Sequence, residues 1–268
     1  MEEKNRLDAE LVRRGLFRSR ETAKEAIKKG MITVGGKPVT RPSYPVSDAE
    51  KIESGESPER FVGRGGYKLQ KALDSFGIDL AGKRCLDLGA STGGFTDCML
   101  QSGALSVAAV EGGHGQLASS LLSDPRVFSF EDTDVRRMPP EITGKSYDFI
   151  ACDLSFISLK LVFPYVLPLL AEDGCAVFLV KPQFEAGRKA VGKKGVVRDG
   201  KDHVRVLEEL IACLYAAGAR VLGLTWSPIR GGEGNIEYLL QVTKSGSEFV
   251  PDVPGVVRSA HEELKRDV

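Results

Sequence analysis

Lys68, Asp153, Lys181 and Glu237 are the side chains of this sequence whose types and positions best suit moving a proton. Asp153 directly follows the apolar run Phe149-Ile150-Ala151-Cys152, and Lys181 follows Val177-Phe178-Leu179-Val180. Glu237 opens a further apolar run, and Lys68 follows Gly65-Gly66-Tyr67 on an expected helix. In open α/β sheets, ligands collect outside the carboxyl ends of the strands, so polar residues at those ends are the first to test for chemistry. An amine acts as a base only where part of it is neutral. Desolvation and a second nearby ammonium favour the neutral form, and an adjacent carboxylate opposes it. Each of the four, taken singly, is compatible with a surface ion pair. Their company decides the matter.

That company is Cys85-Leu86-Asp87-Leu88-Gly89-Ala90-Ser91-Thr92-Gly93-Gly94-Phe95-Thr96, a buried strand breaking into a tight glycine turn before a helix. Glycines there let a ligand approach backbone N–H groups. The spacing Gly-x-x-x-Gly-Gly is neither the dinucleotide fingerprint nor a P-loop. It resembles the nucleoside-binding loop of S-adenosylmethionine (SAM) methyltransferases. That resemblance implies that Gly89, Ala90, Ser91, Thr92, Gly93, Gly94 and Phe95 cradle the methionine part of SAM. Glu111, ending the second strand, can accept hydrogen bonds from both ribose hydroxyls. Asp132, Thr133 and Asp134, after the third strand, suit the adenine edge, and Asp153 would face the positive methyl donor.

These residues need a sheet to align them. Strands are expected at Arg84–Leu88, Val107–Glu111, Val127–Phe130, Phe149–Asp153, Ala176–Lys181, Val221–Trp226 and Glu237–Val242. Helices are expected near Tyr67–Ser75, Phe95–Gln101, Gln116–Leu122, Ser158–Leu169 and His203–Ala217. The alternation predicts a mostly parallel, doubly wound α/β sheet. The last two strands follow one another without a helix, which fits a Rossmann-like methyltransferase sheet of seven strands with an antiparallel hairpin at one edge.

The first fifty residues differ in character. Leu7, Leu11, Val12 and Leu16 repeat at helical spacing, and Ser19-Arg20-Glu21-Thr22 opens a second helix with Ala23, Ala26 and Ile27 facing inward. Met31–Val39 reads as a hairpin about Gly35-Gly36, with a third strand near Asp48–Ile52. This order resembles the small α+β RNA-binding module of ribosomal protein S4. Arg18, Arg20, Lys24 and Lys28 can share one helix face, Lys37 sits at the hairpin tip, and Arg6 and Arg64 flank the module. Such a face grips phosphates by shape without reading bases. The expected division is 1–57 for this domain, 58–64 for a linker and 65–268 for the methyltransferase domain.

Bulk properties narrow the choice of partner. Lysines and arginines number 37, as do aspartates and glutamates, so no global field points to nucleic acid or membrane. Locally, residues 1–45 hold eleven basic against six acidic residues, and residues 181–205 hold eight against three. Basic patches on a neutral chain suit a polyanion held at defined places. The five cysteines show no Cys-x-x-Cys spacing and read as reduced core residues of a cytoplasmic protein, with no disulfide frame and no metal site. The amino-terminal residues do not read as a signal peptide. Leu159–Leu170 is the longest apolar stretch, and Lys160 and two prolines interrupt it. A pore former would need an amphipathic hairpin or apolar helix, and the mean hydropathy is −0.13. A membrane partner is not expected.

Lys68, Asp153, Lys181 and Glu237, in that order, resemble the Lys-Asp-Lys-Glu tetrad of FtsJ-like 2′-O-ribose methyltransferases. The resemblance implies that Lys181 is the base or hydroxyl activator and that Lys68 orients the hydroxyl. Asp153 would fix Lys181, and Glu237 would hold Lys68 or the substrate ribose. An S4-like module joined to such a domain is similar to the TlyA family, whose members were once called hemolysins and methylate ribosomal RNA at cytidine 2′-oxygens. The motifs are Gly63–Leu69, Asp87–Asp97, Asp153–Leu159, Lys181–Glu185 and Gly195–Asp199. Two positions depart from the family pattern, with Glu111 where aspartate is commoner and Asp134 where asparagine is. The implied partner is ribosomal RNA within a ribosomal subunit. The glycine- and lysine-rich segment 184–201 is expected to be mobile without RNA and to close over a flipped target nucleotide. Base methylation is the rival chemistry. It lacks its usual Pro-Pro-aromatic motif here, because Leu154-Ser155-Phe156 follows Asp153.

Overall fold

Seven apolar runs become the seven strands of one sheet in the larger of two units, Phe61–Val268. The computed structural model describes residues 4–17, 19–28, 30–54, 60–246 and 249–264. The strands are β1 (Arg84–Leu88), β2 (Ser106–Val110), β3 (Val127–Phe130), β4 (Tyr147–Cys152), β5 (Leu170–Val180), β6 (Arg220–Trp226) and β7 (Tyr238–Thr243). Their spatial order is β6-β7-β5-β4-β1-β2-β3. Pairs among β1 to β5 are parallel, and β7 runs antiparallel to both β5 and β6. The expected class, a doubly wound methyltransferase-like sheet with an antiparallel edge, is therefore the observed one.

Side chains alternate between two cores, as the pleat requires. Leu86, Leu88, Ile150, Cys152, Phe178 and Val180 pack with Leu207 and Leu210 of the Gly200–Ala216 helix. Cys85, Val107, Phe149, Ala151, Val177 and Leu179 pack on the other face with Leu69, Leu73, Cys98 and Met99. Strand order reverses between β1 and β4, which opens a crevice at their carboxyl ends. Two backbone bonds draw its walls together, Gly89 N–H to Val110 O (2.9 Å) and Asp153 N–H to Leu88 O (2.8 Å).

Three helical expectations change. The segment expected as one helix over Ser158–Leu169 is broken into a 3₁₀ turn (Leu159–Leu161), one helical turn (Phe163–Val166) and a second 3₁₀ turn (Leu167–Leu169). Pro164 and Pro168 lack the N–H that a continuous helix needs. The helix expected from Gln116 begins only at Ser119, and ahead of it the Glu131 carboxylate accepts from the N–H groups of Gly115, Gln116 and Leu117 at 2.8, 2.9 and 3.3 Å. A helix over Val253–Glu263, absent from the expectations, is capped by Asp252 and buries Val253, Val257 and Ala260.

The smaller unit has helices at Leu7–Arg13 and Arg20–Lys28 and a three-stranded antiparallel sheet. Ile32–Val34 pairs with Lys37–Pro38 through a turn in which Gly35 and Gly36 hold φ of +57° and +77°, the hairpin geometry that glycine permits. The third strand is Ile52–Ser54, later than expected, because Arg14 captures the preceding chain at Ser47 O and Glu50 O. Leu7, Leu11, Ala26, Ile27 and Ile32 fill its core. Arg18 and residues 55–59, where the first domain was expected to end and the linker to begin, lie outside the described residues.

Candidate active site

A glycine-rich strap places Lys68. Phe61 is buried in the core, and Val62 N–H donates to Asp97 Oδ2 at 2.8 Å. The strap then crosses the amino end of the Gly94–Gln101 helix so closely that a Cβ on Gly94 would stand 2.9 Å from Gly66 N and 3.0 Å from Gly63 O. Only glycine allows that crossing. The strap ends in the Gly65–Phe76 helix, which buries Leu69, Ala72 and Leu73 and carries Lys68 in its first turn.

The four expected residues meet as two ion pairs. Lys68 Nζ lies 2.6 Å from Glu237 Oε2, with the side chains 12% and 3% exposed. Lys181 Nζ lies 2.6 Å from Asp153 Oδ1 and hydrogen-bonds Ser155 Oγ at 2.8 Å. Glu237 stands one residue before β7, with Ser227 N–H bonded to its carbonyl (2.9 Å) and Gly231 leaving room for its carboxylate. Burial raises the Glu237 carboxyl, against the pull of Lys68, and the charges of Lys181 and Asp153 also reach it. Beneath them Asp87 is fully buried. Burial pushes its carboxyl up to about 7, although Thr96 Oγ1 donates to it at 2.6 Å.

Beside the tetrad the crevice holds a cavity of about 370 Å³ whose wall includes Gly89, Ser91, Glu111, Thr133 and Asp153. A second hollow of about 220 Å³ is lined by Arg64, Lys68, Ala90, Thr92, Gly94 and Phe95, and shares Gly89, Ser91 and Asp153 with the first. Gly89 has φ +86°, and a Cβ there would stand 2.3 Å from Asp153 O. The Glu111 carboxylate is fixed by Ser91 N–H and Gly113 N–H, each at 2.8 Å. A carboxylate in an apolar-walled cavity, beside backbone that no Cβ shields, fits a nucleoside with a charged tail. The residues present fit SAM.

Other expected residues lie elsewhere. Gly93, at φ +96°, packs under Leu117 and Leu121. Asp134 caps the Val135–Arg137 turn and pairs with Arg136 at 2.6 Å, while Asp132 bonds His114 Nδ1 at 2.8 Å. Neither lines the cavity. In the smaller unit Arg20, Lys24 and Lys28 recur every fourth residue along one helix edge, and Lys37 is exposed at the hairpin. Arg6 and Arg20 both bind buried Asp8, at 2.9 and 3.0 Å, and Lys24 binds Glu21 at 2.7 Å. Burial pushes the Asp8 carboxyl up, but the two arginines outweigh it and hold it low.

Sequence reasoning passed over Gln116, Ser155, Phe156 and Glu185. Gln116 reaches the cavity across Gly113, where a Cβ would stand 1.8 Å from its Nε2. Phe156 is 91% exposed at the cavity rim, with φ +64° and its ring 5.1 Å from that of Phe184. Glu185 bonds Ser158 Oγ and Leu159 N–H at 2.6 and 2.7 Å. Ser155, Phe156 and Glu185 fall within the motifs Asp153–Leu159 and Lys181–Glu185, which is the signal the sequence held for them.

The segment 186–199 is tied at its far end. Asn235 Oδ1 accepts from Val197 N–H (3.0 Å), its Nδ2 donates to Gly195 O (2.9 Å), and His203 Nε2 bonds Val197 O (3.0 Å).

Residues 61–244 match the FtsJ-like methyltransferase family, and residues 5–52 match the S4 domain. The 16S/23S rRNA (cytidine-2′-O)-methyltransferase TlyA of Mycobacterium tuberculosis is 45% identical over 241 residues, covering 90% of each chain. A solved structure of a candidate hemolysin from Streptococcus thermophilus is 40% identical, with a TM-score of 0.76, and covers 100% of this chain and 99% of that one. A candidate SAM-dependent methyltransferase from Listeria monocytogenes, 17% identical, shares the fold with a TM-score of 0.50 over 69% of this chain and 100% of its own. The sheet and the two matched domains agree with these likenesses, and the chain belongs to the TlyA family of FtsJ-like methyltransferases.

Proposed function

We propose that the protein transfers a methyl group from SAM to the 2′-hydroxyl of a cytidine in ribosomal RNA. The observation that carries this reading is the meeting of Lys68–Glu237 and Lys181–Asp153 at the switch point, beside the Gly89 turn and the Glu111 cavity. SAM, when bound, would supply an electrophilic methyl group and a sulfur leaving group. Gly89, Ala90, Ser91, Thr92, Gly94, Phe95 and Glu111 would hold the donor, and Asp153 would face its positive charge. Lys181 takes the hydroxyl proton as the ribose oxygen forms its bond to the methyl carbon. Lys68, held by Glu237, orients that hydroxyl. Because the donor is reactive, positioning supplies much of the acceleration.

The basic residues of the S4 module, Arg6, Arg18, Arg20, Lys24, Lys28 and Lys37, with Arg64, would hold the RNA backbone. The exposed ring of Phe156 offers a face on which a flipped base could stack. Such a substrate places the protein in the cytoplasm, with ribosomal subunits.

Carbon methylation of the base would need a thiolate. Cys152 is fully buried on the core side, and burial drives its thiol far above the usual range. For the cytolytic reading, no helix among the described residues is long and apolar enough to cross a membrane. The test is labelled SAM with isolated small and large ribosomal subunits, followed by mapping of the modified nucleotide. Label on a cytidine ribose is expected; label on a base, or none, overturns the reading.

A further inference from the structure

Lys181 has two oxygen neighbours, and only one of them belongs to the tetrad. Asp153 Oδ1 lies 2.6 Å from Nζ and Ser155 Oγ 2.8 Å from it. Of the two, the serine oxygen meets hydrogen-bond geometry, whereas Asp153 Oδ1 is an ion-pair neighbour that accepts no hydrogen bond. Ser155 is therefore the acceptor that fixes rotation about Cε–Nζ.

We propose that Ser155 is a positioning residue that, by this hydrogen bond and beside the charge of Asp153, aims the lone pair of Lys181 at the acceptor hydroxyl. The proposal rests on the ribose-methylation reading above. In the neutral amine one N–H donates to Ser155, the negative charge of Asp153 draws the second N–H to its side, and the direction left is the lone pair. The hydroxyl proton passes to that lone pair, the hydroxyl oxygen bonds the methyl carbon, and the C–S electrons stay with sulfur. The resulting ammonium returns its proton to solvent. Without Ser155 the amine rotates about Cε–Nζ, and an N–H can point at the hydroxyl in place of the lone pair. A donor then stands where an acceptor is required.

The loop is built to hold Ser155 at this distance. Glu185, four residues beyond Lys181, accepts from Ser158 Oγ at 2.6 Å and from Leu159 N–H at 2.7 Å. Phe156, next to Ser155, packs its ring 5.1 Å from that of Phe184. Its φ of +64° is costly for a bulky residue and persists only where surrounding contacts fix the chain. The segment that carries the amine therefore also carries both ties to the serine loop. Ser155 itself is exposed, so a slightly larger hydroxyl residue has room.

The experiment compares Ser155→Ala and Ser155→Thr in the full chain with wild type. It measures the methyl-transfer rate at saturating labelled SAM and ribosomal subunit, the KM for the subunit and the Kd for SAM. Ser155→Ala is expected to lower kcat about 10- to 100-fold while KM and Kd stay within about twofold, and Ser155→Thr to recover most of the rate. An alanine variant at wild-type rate overturns the proposal. So does a threonine variant as slow as alanine, or a loss carried by KM or by SAM affinity. A wild-type chain that labels no ribose overturns the underlying reading first, so the two failures are distinct.

Discussion

Lys68 and Glu237, 169 residues apart, close a 2.6 Å ion pair in which the carboxylate is almost wholly shielded from solvent. One partner arrives on the helix after the glycine strap and the other at the mouth of β7, so the pair closes only when strap and antiparallel strand are both in place. Removing the cation alone strands a buried carboxylate. Lys68→Ala is expected to destabilise the protein by about 3–5 kcal/mol, and Lys68→Ala with Glu237→Gln by less than the sum of the two single changes. Chemical unfolding of the four proteins measures this. Strict additivity would contradict the pairing.

Lys181 makes a different prediction, because it lies outside the walls of both cavities. Lys181→Ala is expected to lower methyl transfer by about 10²- to 10⁴-fold, the range for a lost acid–base group. SAM binding by calorimetry should stay near wild type. Retained turnover in that variant would remove Lys181 from the mechanism.

Two glycines near the cavity should respond oppositely to the same change. At Gly89 the backbone is left-handed and a Cβ would press on Asp153 O, whereas at Gly112 nothing lies within 4 Å. Gly89→Ala is expected to cost about 1–3 kcal/mol from backbone strain alone and to abolish measurable SAM binding. Gly112→Ala should leave stability and binding nearly unchanged. Equal effects in thermal unfolding and SAM titration would show that the Gly89 approach is not what shapes the cavity.

Asp87 gives a pH signature. Its carboxyl is pushed from 3.8 to about 7 in the folded protein, first by burial, with Asp153 and Glu111 adding to the rise and Thr96 opposing it. The folded state therefore holds a proton that the unfolded chain has released. Stability from this group is complete below about pH 4 and is lost as pH rises to about 7. Asp87→Asn removes the titration and leaves an oxygen to accept from Thr96. The stability of the variant relative to wild type should thus rise between pH 4 and 7, as followed by melting temperature at stepped pH. Parallel curves would refute the raised carboxyl.

The strands were legible because each is a short apolar run ended by a glycine or a charge, and a sheet buried on both faces needs such runs. β5 begins at Leu170, six residues before the expected Ala176, because the chain stays on β4 across an irregularity between Leu170 and Cys175; the other ends shift by at most two residues. Glu111 and Lys181 stand just past β2 and β5, and Glu237 just before β7. Apolar periodicity does not mark where the ladder stops. The helix over Val253–Glu263 carried its signals too, an Asp252 cap, Pro254 in the first turn and Val253, Val257 and Ala260 at helical spacing. By contrast, the late start at Ser119 could not be read locally. Glu131, from beyond the next strand, holds the turn ahead of it through the N–H groups of Gly115, Gln116 and Leu117, a contact between distant residues.

The sequence by itself determined the class of sheet, the S4-like module, the glycine turn and the four residue types of the tetrad. All of these follow from local pattern, from apolar period and turn chemistry to residues placed at strand ends. Only the tertiary structure decided that Glu237 closes on Lys68, that Ser155 shares Lys181 with Asp153, and that Thr133 lines the cavity while Asp132 and Asp134 turn to His114 and Arg136. Those choices depend on angles and distances between segments far apart in the chain. Packing of the strap on the Gly94 helix and the reversal of strand order between β1 and β4 set them, and no local run of residues encodes either.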